Sequence, residues 1–150
     1  MARIKLALPR HVDFTTELAL RIGDINYGGH LGNDAVLSLV HEARVQWLAA
    51  LGFSELNVAG PGIILSDAVI VFKSEGFYGD RLRITLAVDE FNRYGCDVFY
   101  CLSHTETGKE VARAKTGVVF FDYAARKLHA VPALFRAHFP NSSDDKDRAR

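Results

Sequence analysis

The sequence predicts an α+β fold in which an antiparallel sheet wraps around one long helix. Three features predict it. Val36, Val40, Ala43, Trp47 and Leu51 recur at helical spacing, with Leu37, Leu39 and Leu48 beside them, so this helix is apolar over much of its girth. Four strand-like runs follow in succession, separated by short polar or glycine-bearing turns. One further alternating run precedes the helix. A strand, a buried helix and then a meander of strands favours antiparallel pairing with the helix laid across one face.

Taken in order, Val12 to Ile22 alternates apolar and polar residues and breaks at Gly23-Asp24. The loop Asp24-Ile-Asn-Tyr-Gly-Gly-His-Leu-Gly-Asn-Asp34 leads to the helix. Asn33 or Asp34 is expected to cap it and Gly52 to stop it near Leu51. Ile63 to Glu75 reads as a second strand after Gly60-Pro-Gly62. Arg81 to Asp89, Cys96 to His104 and Glu110 to Phe121 supply three more. Tyr123 to Lys127 is a loop. A short helix is expected from Val131-Pro-Ala through Phe139. Residues 1–140 form one expected domain, and the polar segment 141–150 an expected disordered tail.

The chain has 150 residues, with 18 Lys+Arg against 18 Asp+Glu, so no global field draws it to nucleic acid or an anionic membrane. It shows neither a secretory segment nor an apolar run of roughly 18 residues, so a cytoplasmic location and no membrane partner are expected. Cys96 and Cys101, five apart on one strand, point to opposite faces, and free thiols are expected. No metal-ligand spacing, phosphate loop or nucleotide-binding glycine pattern occurs.

The loop and helix carry Asn26-Tyr-Gly-Gly-His30-Leu-Gly-Asn33 followed by Glu42-Ala43-Arg44. This resembles the hallmark of the hotdog-fold acyl-CoA thioesterases, in the branch that includes 4-hydroxybenzoyl-CoA thioesterase: Asp-x-x-x-His-x-x-Asn, then a helix with Glu-Ala-Arg. Tyr78-Gly-Asp80, Phe121-Asp122 and Val131-Pro132 extend the resemblance over roughly residues 10 to 140. The resemblance implies an antiparallel sheet around a central helix, assembly into a homodimer or homotetramer, thioester sites at the dimer interface, and coenzyme A as part of the substrate rather than a cofactor. One position departs. Where the branch carries an Asp that acts as base or nucleophile, this chain has Asn26, and an amide does neither.

The candidate catalytic residues are therefore Asn26, Glu42, His30 and Asp24. Asn26 can orient the carbonyl or a water, or bond nearby backbone as an ordinary loop residue. Glu42 is the best remaining carboxylate for base or nucleophile, with a structural ion pair as its alternative. Asp24 is the other candidate base, or a solvated turn carboxylate. His30 polarises the thioester or locks the loop. His41 is assigned to packing. Gly28, Gly29, Leu31 and Gly32 are candidate oxyanion and substrate-binding positions, because glycines let backbone approach a ligand ahead of a helix N-terminus. Ser66 and Asp67 interrupt the second strand and are assigned mainly to structural bonding. Arg93, Arg113 and Lys115 are weak candidates for coenzyme A phosphates.

The leading expectation is a thioesterase acting on a medium-chain, long-chain or aryl acyl-CoA, with Ile63 to Phe72 and Trp47 lining an acyl tunnel. A non-catalytic acyl-CoA-binding protein and an acyl-thioester hydratase or dehydratase are the alternatives.

Overall fold

The computed structural model describes residues 2–145. Strand β1 (Phe14–Ala19) is followed by a short 3-10 turn (Ile22–Asp24) and helix α1 (Asn33–Ala50). Strands β2 (Gly62–Phe72), β3 (Arg81–Asp89), β4 (Gly95–His104), β5 (Glu110–Asp122) and β6 (Lys127–Leu128) come next, and α2 (Ala133–Arg136) closes the chain. All strands are antiparallel, in the order β1-β3-β4-β5-β2 with β6 pairing to β5. Sequence order is broken because β2 pairs with β5 rather than β3, which leaves β2 as one edge of the sheet.

The expected wrap of sheet around helix is what forms. Val36, Val40, Ala43, Trp47 and Leu48 of α1 are buried against Leu82, Ile84, Leu86 and Val88 of β3 and Val98, Tyr100 and Leu102 of β4. The period-2 alternation of the strands puts these residues on the helix-facing side, and Arg83, Thr85 and Asp97 on the other. Gly52 takes φ +82°, the left-handed conformation that ends the helix at its expected stop.

The β2–β5 pairing carries a bulge between Leu65 and Asp67. Asp67 Oδ1 there accepts Gly117 N–H at 3.0 Å and Lys115 Nζ at 2.8 Å. Ser66 and Asp67 thus interrupt the apolar run for a structural reason. Both cysteines are free; Cys96 is buried and Cys101 half-buried.

Three expectations change. Residue Gly32, not Asn33 or Asp34, is the N-cap of α1, and no side chain caps the helix. The closing helix is only Ala133–Arg136; turn-type backbone bonds continue to Phe139, and Phe135 and Phe139 pack against Trp47 and Phe91. The tail expected to be disordered from Asn141 is held as far as Asp145. Ser142 is buried with its hydroxyl on Val88 O, Ser143 donates twice to Asp89 Oδ1, and Asp144 pairs with Arg136. Its remainder, residues 146–150, lies outside the described residues. No helix among the described residues is long and apolar enough to cross a membrane.

Candidate active site

The loop between β1 and α1 is closed by its own backbone. Asn26 N–H donates to His30 O at 2.9 Å and Gly29 N–H to Asn26 O at 3.0 Å, with Gly29 at φ +87°. Asn26 Oδ1 accepts Gly28 N–H at 3.0 Å and His30 N–H at 3.4 Å. The structure therefore brings Asn26, Gly28 and His30 together. A Cβ on Gly28 would lie 3.2 Å from Asn26 Oδ1 and 3.5 Å from His30 Nε2, so the glycine is what lets the two side chains flank one point. The same steric logic moves the cap to Gly32: a Cβ there would stand 2.7 Å from Asp34 Oδ1 and 3.7 Å from the Asn26 Cβ.

The amides expected to face an oxyanion are engaged elsewhere. Gly28 and Gly29 N–H serve Asn26, Leu31 N–H donates to Gly76 O at 2.7 Å, and Gly32 N–H to Asp24 O at 2.9 Å. By contrast, no hydrogen bond within the described residues takes up the N–H of Asn33 or Asp34, the first two helical residues. These are orphan donors at the positive end of the helix dipole. A cavity of about 240 Å³ opens beside them, lined by His30, Leu31, Asn33 and Val36 together with Phe72 and Ala112.

Of the candidate acids, Asp24 is tied to this turn through its backbone carbonyl and Glu42 lies farther along the helix. Asp24 is half-buried, its Oδ2 accepting Arg21 N–H at 2.8 Å. Glu42 is exposed on α1 and accepts Gln46 Nε2 at 2.9 Å; Gln46 in turn accepts the Thr16 hydroxyl at 2.6 Å. Glu42 follows Asn33 by nine residues, a helical rise of about 13 Å. His41 does more than pack: its Nε2 stands 2.6 Å from Glu55 Oε1.

Glu55 is a residue that sequence reasoning missed. It accepts Arg44 Nε on its second oxygen at 3.0 Å, and its carbonyl accepts Ile63 N–H at 2.8 Å. Arg44 is 3% exposed, and its Nη1 donates to the Tyr100 hydroxyl, which stands 3.0 Å from Thr116 Oγ1. Partial burial acts to raise the Glu55 carboxyl, but the hydrogen bonds from Arg44 and His41 outweigh it and hold the group below the usual glutamate range. Burial likewise acts to lower Arg44, and Tyr100 and Glu55 more than offset it. A lone acid in a loop carries no periodic signal; only the burial of Arg44 on an apolar helix face hinted that a counter-charge was needed.

The basic candidates are committed to structure. Arg113 pairs with Glu110 at 2.9 Å and donates to Leu6 O, Lys115 lies between Asp67 and Asp97, and Arg93 sits over the Tyr94 ring. Trp47, expected in an acyl tunnel, is 2% exposed and wedged against Phe135 and Phe139, and Ile63 is also in the core. Trp47 and Ile63 are therefore removed from the expected tunnel, α2 and the segment after it packing on that side of the helix, while Leu65 and Phe72 of the same strand do line cavities.

Comparison with known proteins agrees with this fold. Residues 20–139 match the family model described as "Thioesterase-like superfamily". The chain is 30% identical over 124 residues to 1,4-dihydroxy-2-naphthoyl-CoA hydrolase of Synechococcus elongatus, covering 80% of this chain and 90% of that protein. A solved 1,4-dihydroxy-2-naphthoyl-CoA thioesterase from Synechocystis superposes with a TM-score of 0.78 at 26% identity, over 85% of this chain and 96% of the other. A DHNA-CoA thioesterase from Staphylococcus aureus shares the fold at 19% identity and a TM-score of 0.70, over 77% and 78% of the two chains. With its antiparallel sheet closed over one long helix and its Asn26–Asn33 turn at the helix entrance, the chain belongs to the thioesterase-like superfamily and has the hotdog fold.

Proposed function

We propose that this protein is a thioesterase that hydrolyses an aryl acyl-CoA to the free acid and coenzyme A. The observation that carries the reading is the pair of unclaimed N–H groups on Asn33 and Asp34 at the start of the helix, where Asn33 and His30 line a small cavity. Two preorganised backbone donors at a helix N-terminus are what the oxyanion of a tetrahedral thioester intermediate needs. These donors replace the loop amides of Gly28, Gly29, Leu31 and Gly32 in that role. Asn26, whose Oδ1 is held by the loop, turns its Nδ2 to the thioester oxygen or the attacking water. His30 shapes the cavity wall and stabilises the turn.

Glu42 supplies the base. Its carboxylate takes a proton from water as the water oxygen bonds to the acyl carbon. Collapse of the intermediate breaks the carbon–sulfur bond, and the departing thiolate takes up the proton to leave as the thiol. Because about 13 Å of helix separates Glu42 from Asn33, it meets a thioester held at a helix N-terminus only when a second copy of the chain packs alongside. The exposed apolar residues Leu37 and Val45 of α1, with Ile64, Leu65 and Phe72 of the edge strand β2, support such a homodimer. The named activities of the Synechococcus and Synechocystis relatives support an aryl acyl group, as does the loss of Trp47 from any tunnel.

The test is thiol release from a panel of aryl, medium-chain and long-chain acyl-CoAs. Release from aryl substrates that Glu42→Gln abolishes is the expected result. Binding without thiol release would refute the hydrolase reading, and full activity of Glu42→Gln would move the base to Asp24.

A further inference from the structure

The segment that joins β2 to β3 borders two cavities. Lys73, Ser74 and Glu75 line the cavity of about 240 Å³ that also holds His30, Leu31 and Asn33, and the same three residues line a groove of about 800 Å³. The segment is also seated on the loop at the entrance of α1. Gly76 O accepts Leu31 N–H at 2.7 Å, two residues before Asn33. At its other end Gly79 N–H donates to Leu20 O at 3.0 Å, and Asp80 O accepts Leu20 N–H at 2.8 Å. Gly76 is buried, and a Cβ on it would lie 2.8 Å from Leu20 Cδ1, so segment and loop are in close contact.

His104, the half-buried last residue of β4, bridges this segment on both sides of Gly76. Its Nε2 stands 3.2 Å from Glu75 O, and its Nδ1 stands 3.7 Å from Asp80 Oδ2. That same Asp80 oxygen accepts Phe77 N–H at 2.9 Å. A neutral imidazole has one N–H. Placed on Nε2, it serves Glu75 O and leaves a bare Nδ1 facing a carboxylate. A second proton on Nδ1 turns that contact into an ion pair, so the clasp tightens as the ring becomes charged. The other charged groups on the groove are Lys73 and Glu75 after β2, Arg81 at the start of β3, and Glu106 and Lys109 in the β4–β5 turn. With Asp80 they balance in sign, and Asp80 is the acid in ion-pair contact with the ring.

We propose that His104 is a positioning residue for the thioester site. It clasps Glu75 and Asp80, and through Gly76 it holds Leu31 and the open N–H groups of α1 in place, more tightly below neutral pH than above it. The proposal rests on the thioesterase reading above.

The experiment pairs turnover with a readout that needs none. KM and kcat for 4-hydroxybenzoyl-CoA, its calorimetric Kd, and amide hydrogen exchange at Leu31 corrected for intrinsic exchange are followed from about pH 5.5 to 8.5, the range that brackets imidazole titration. The full chain is compared with His104→Gln, which keeps a donor for Glu75 O without titrating, and Asp80→Asn, which keeps an acceptor for Phe77 N–H without charge. Wild type is expected to protect Leu31 about threefold to fivefold more at the acid end, with KM and Kd lower by a similar factor. Both variants should flatten these steps, and His104→Gln should keep the wild-type alkaline values. If one variant does not fold, the other decides. A flat wild-type profile, a step that persists in a folded variant, or a protection step with none in KM or Kd overturns the proposal. Steps in protection and Kd that the variants remove, without thiol release, would leave the clasp standing and refute the hydrolase reading instead.

Discussion

Arg44 Nε donates to Glu55 Oε2 at 3.0 Å, joining the middle of the central helix to the loop that leads into the edge strand. The Glu55 carbonyl also receives Ile63 N–H, so one residue fixes both the buried guanidinium and the start of β2. Replacing Glu55 by Gln leaves Arg44 in the core without its counter-charge. A loss of about 3 kcal/mol at neutral pH is expected, measured by urea unfolding. The folded-state Glu55 carboxyl is depressed, so its contribution is fully present above the ordinary glutamate range and disappears as pH falls through the folded value. Wild type and Glu55→Gln should therefore converge in stability in acid; a gap that persists there contradicts the assignment.

Asn26→Asp keeps an oxygen acceptor for the Gly28 and His30 amides, so the loop should hold and Tm should change little. The substitution restores an acid beside the helix N-terminus. An increase in kcat of about tenfold or more is expected from an added general base, measured as thiol release. Asn26→Ala removes the acceptor altogether and should cost about 1 kcal/mol of stability as well as activity.

Asp97 is half-buried on the face of β4 turned away from the helix. Burial lifts its carboxyl to about 6; Lys115 opposes the lift and the neighbouring Glu90 adds to it. A raised carboxyl means that the folded state binds the proton more tightly than the unfolded chain. Ionising Asp97 therefore destabilises the fold, fully above about pH 6 and progressively less as pH falls toward the ordinary aspartate value. Asp97→Asn should raise Tm at pH 8 and leave it unchanged at pH 4. A drop at pH 8 would mean that the ion pair with Lys115 dominates.

Gly117 faces the β2 bulge, where a Cβ would meet the Ser66 hydroxyl and stand 2.5 Å from Asp67 Oδ1. Gly117→Ala should displace Asp67 from Lys115 and cost about 2 kcal/mol by overpacking. Combining it with Asp67→Ala should recover part of that loss, as thermal unfolding would show.

The fold was readable because its elements are strongly patterned. The alternation of β3, β4 and β5 and the apolar girth of α1 place each element within a few residues of where it forms. What the pattern could not carry was long-range chemistry. Nothing local marks Glu55 as the partner of Arg44, because the fold brings the two together, and Gly32 is the cap in place of Asn33 through the close approach of its own loop, which no residue pattern encodes. The docking of Ser142 and Ser143 on Val88 and Asp89 was hidden for the same reason: a polar tail reads as solvated until a sheet edge offers it acceptors. At the candidate site, Asn26 and His30 were visible as a pair. That the loop amides turn inward while those of Asn33 and Asp34 stay open depends on backbone geometry alone.

The central claim is hydrolysis of an aryl thioester at the entrance of α1, with Glu42 as base. The most direct measurement is single-turnover release of coenzyme A thiol from a hydroxyaryl-CoA by wild type and by Glu42→Gln at matched, saturating enzyme. The account predicts rapid stoichiometric release by wild type and a loss of at least about a hundredfold in the variant. Equal release by both proteins, or none by wild type despite saturable binding, would contradict it.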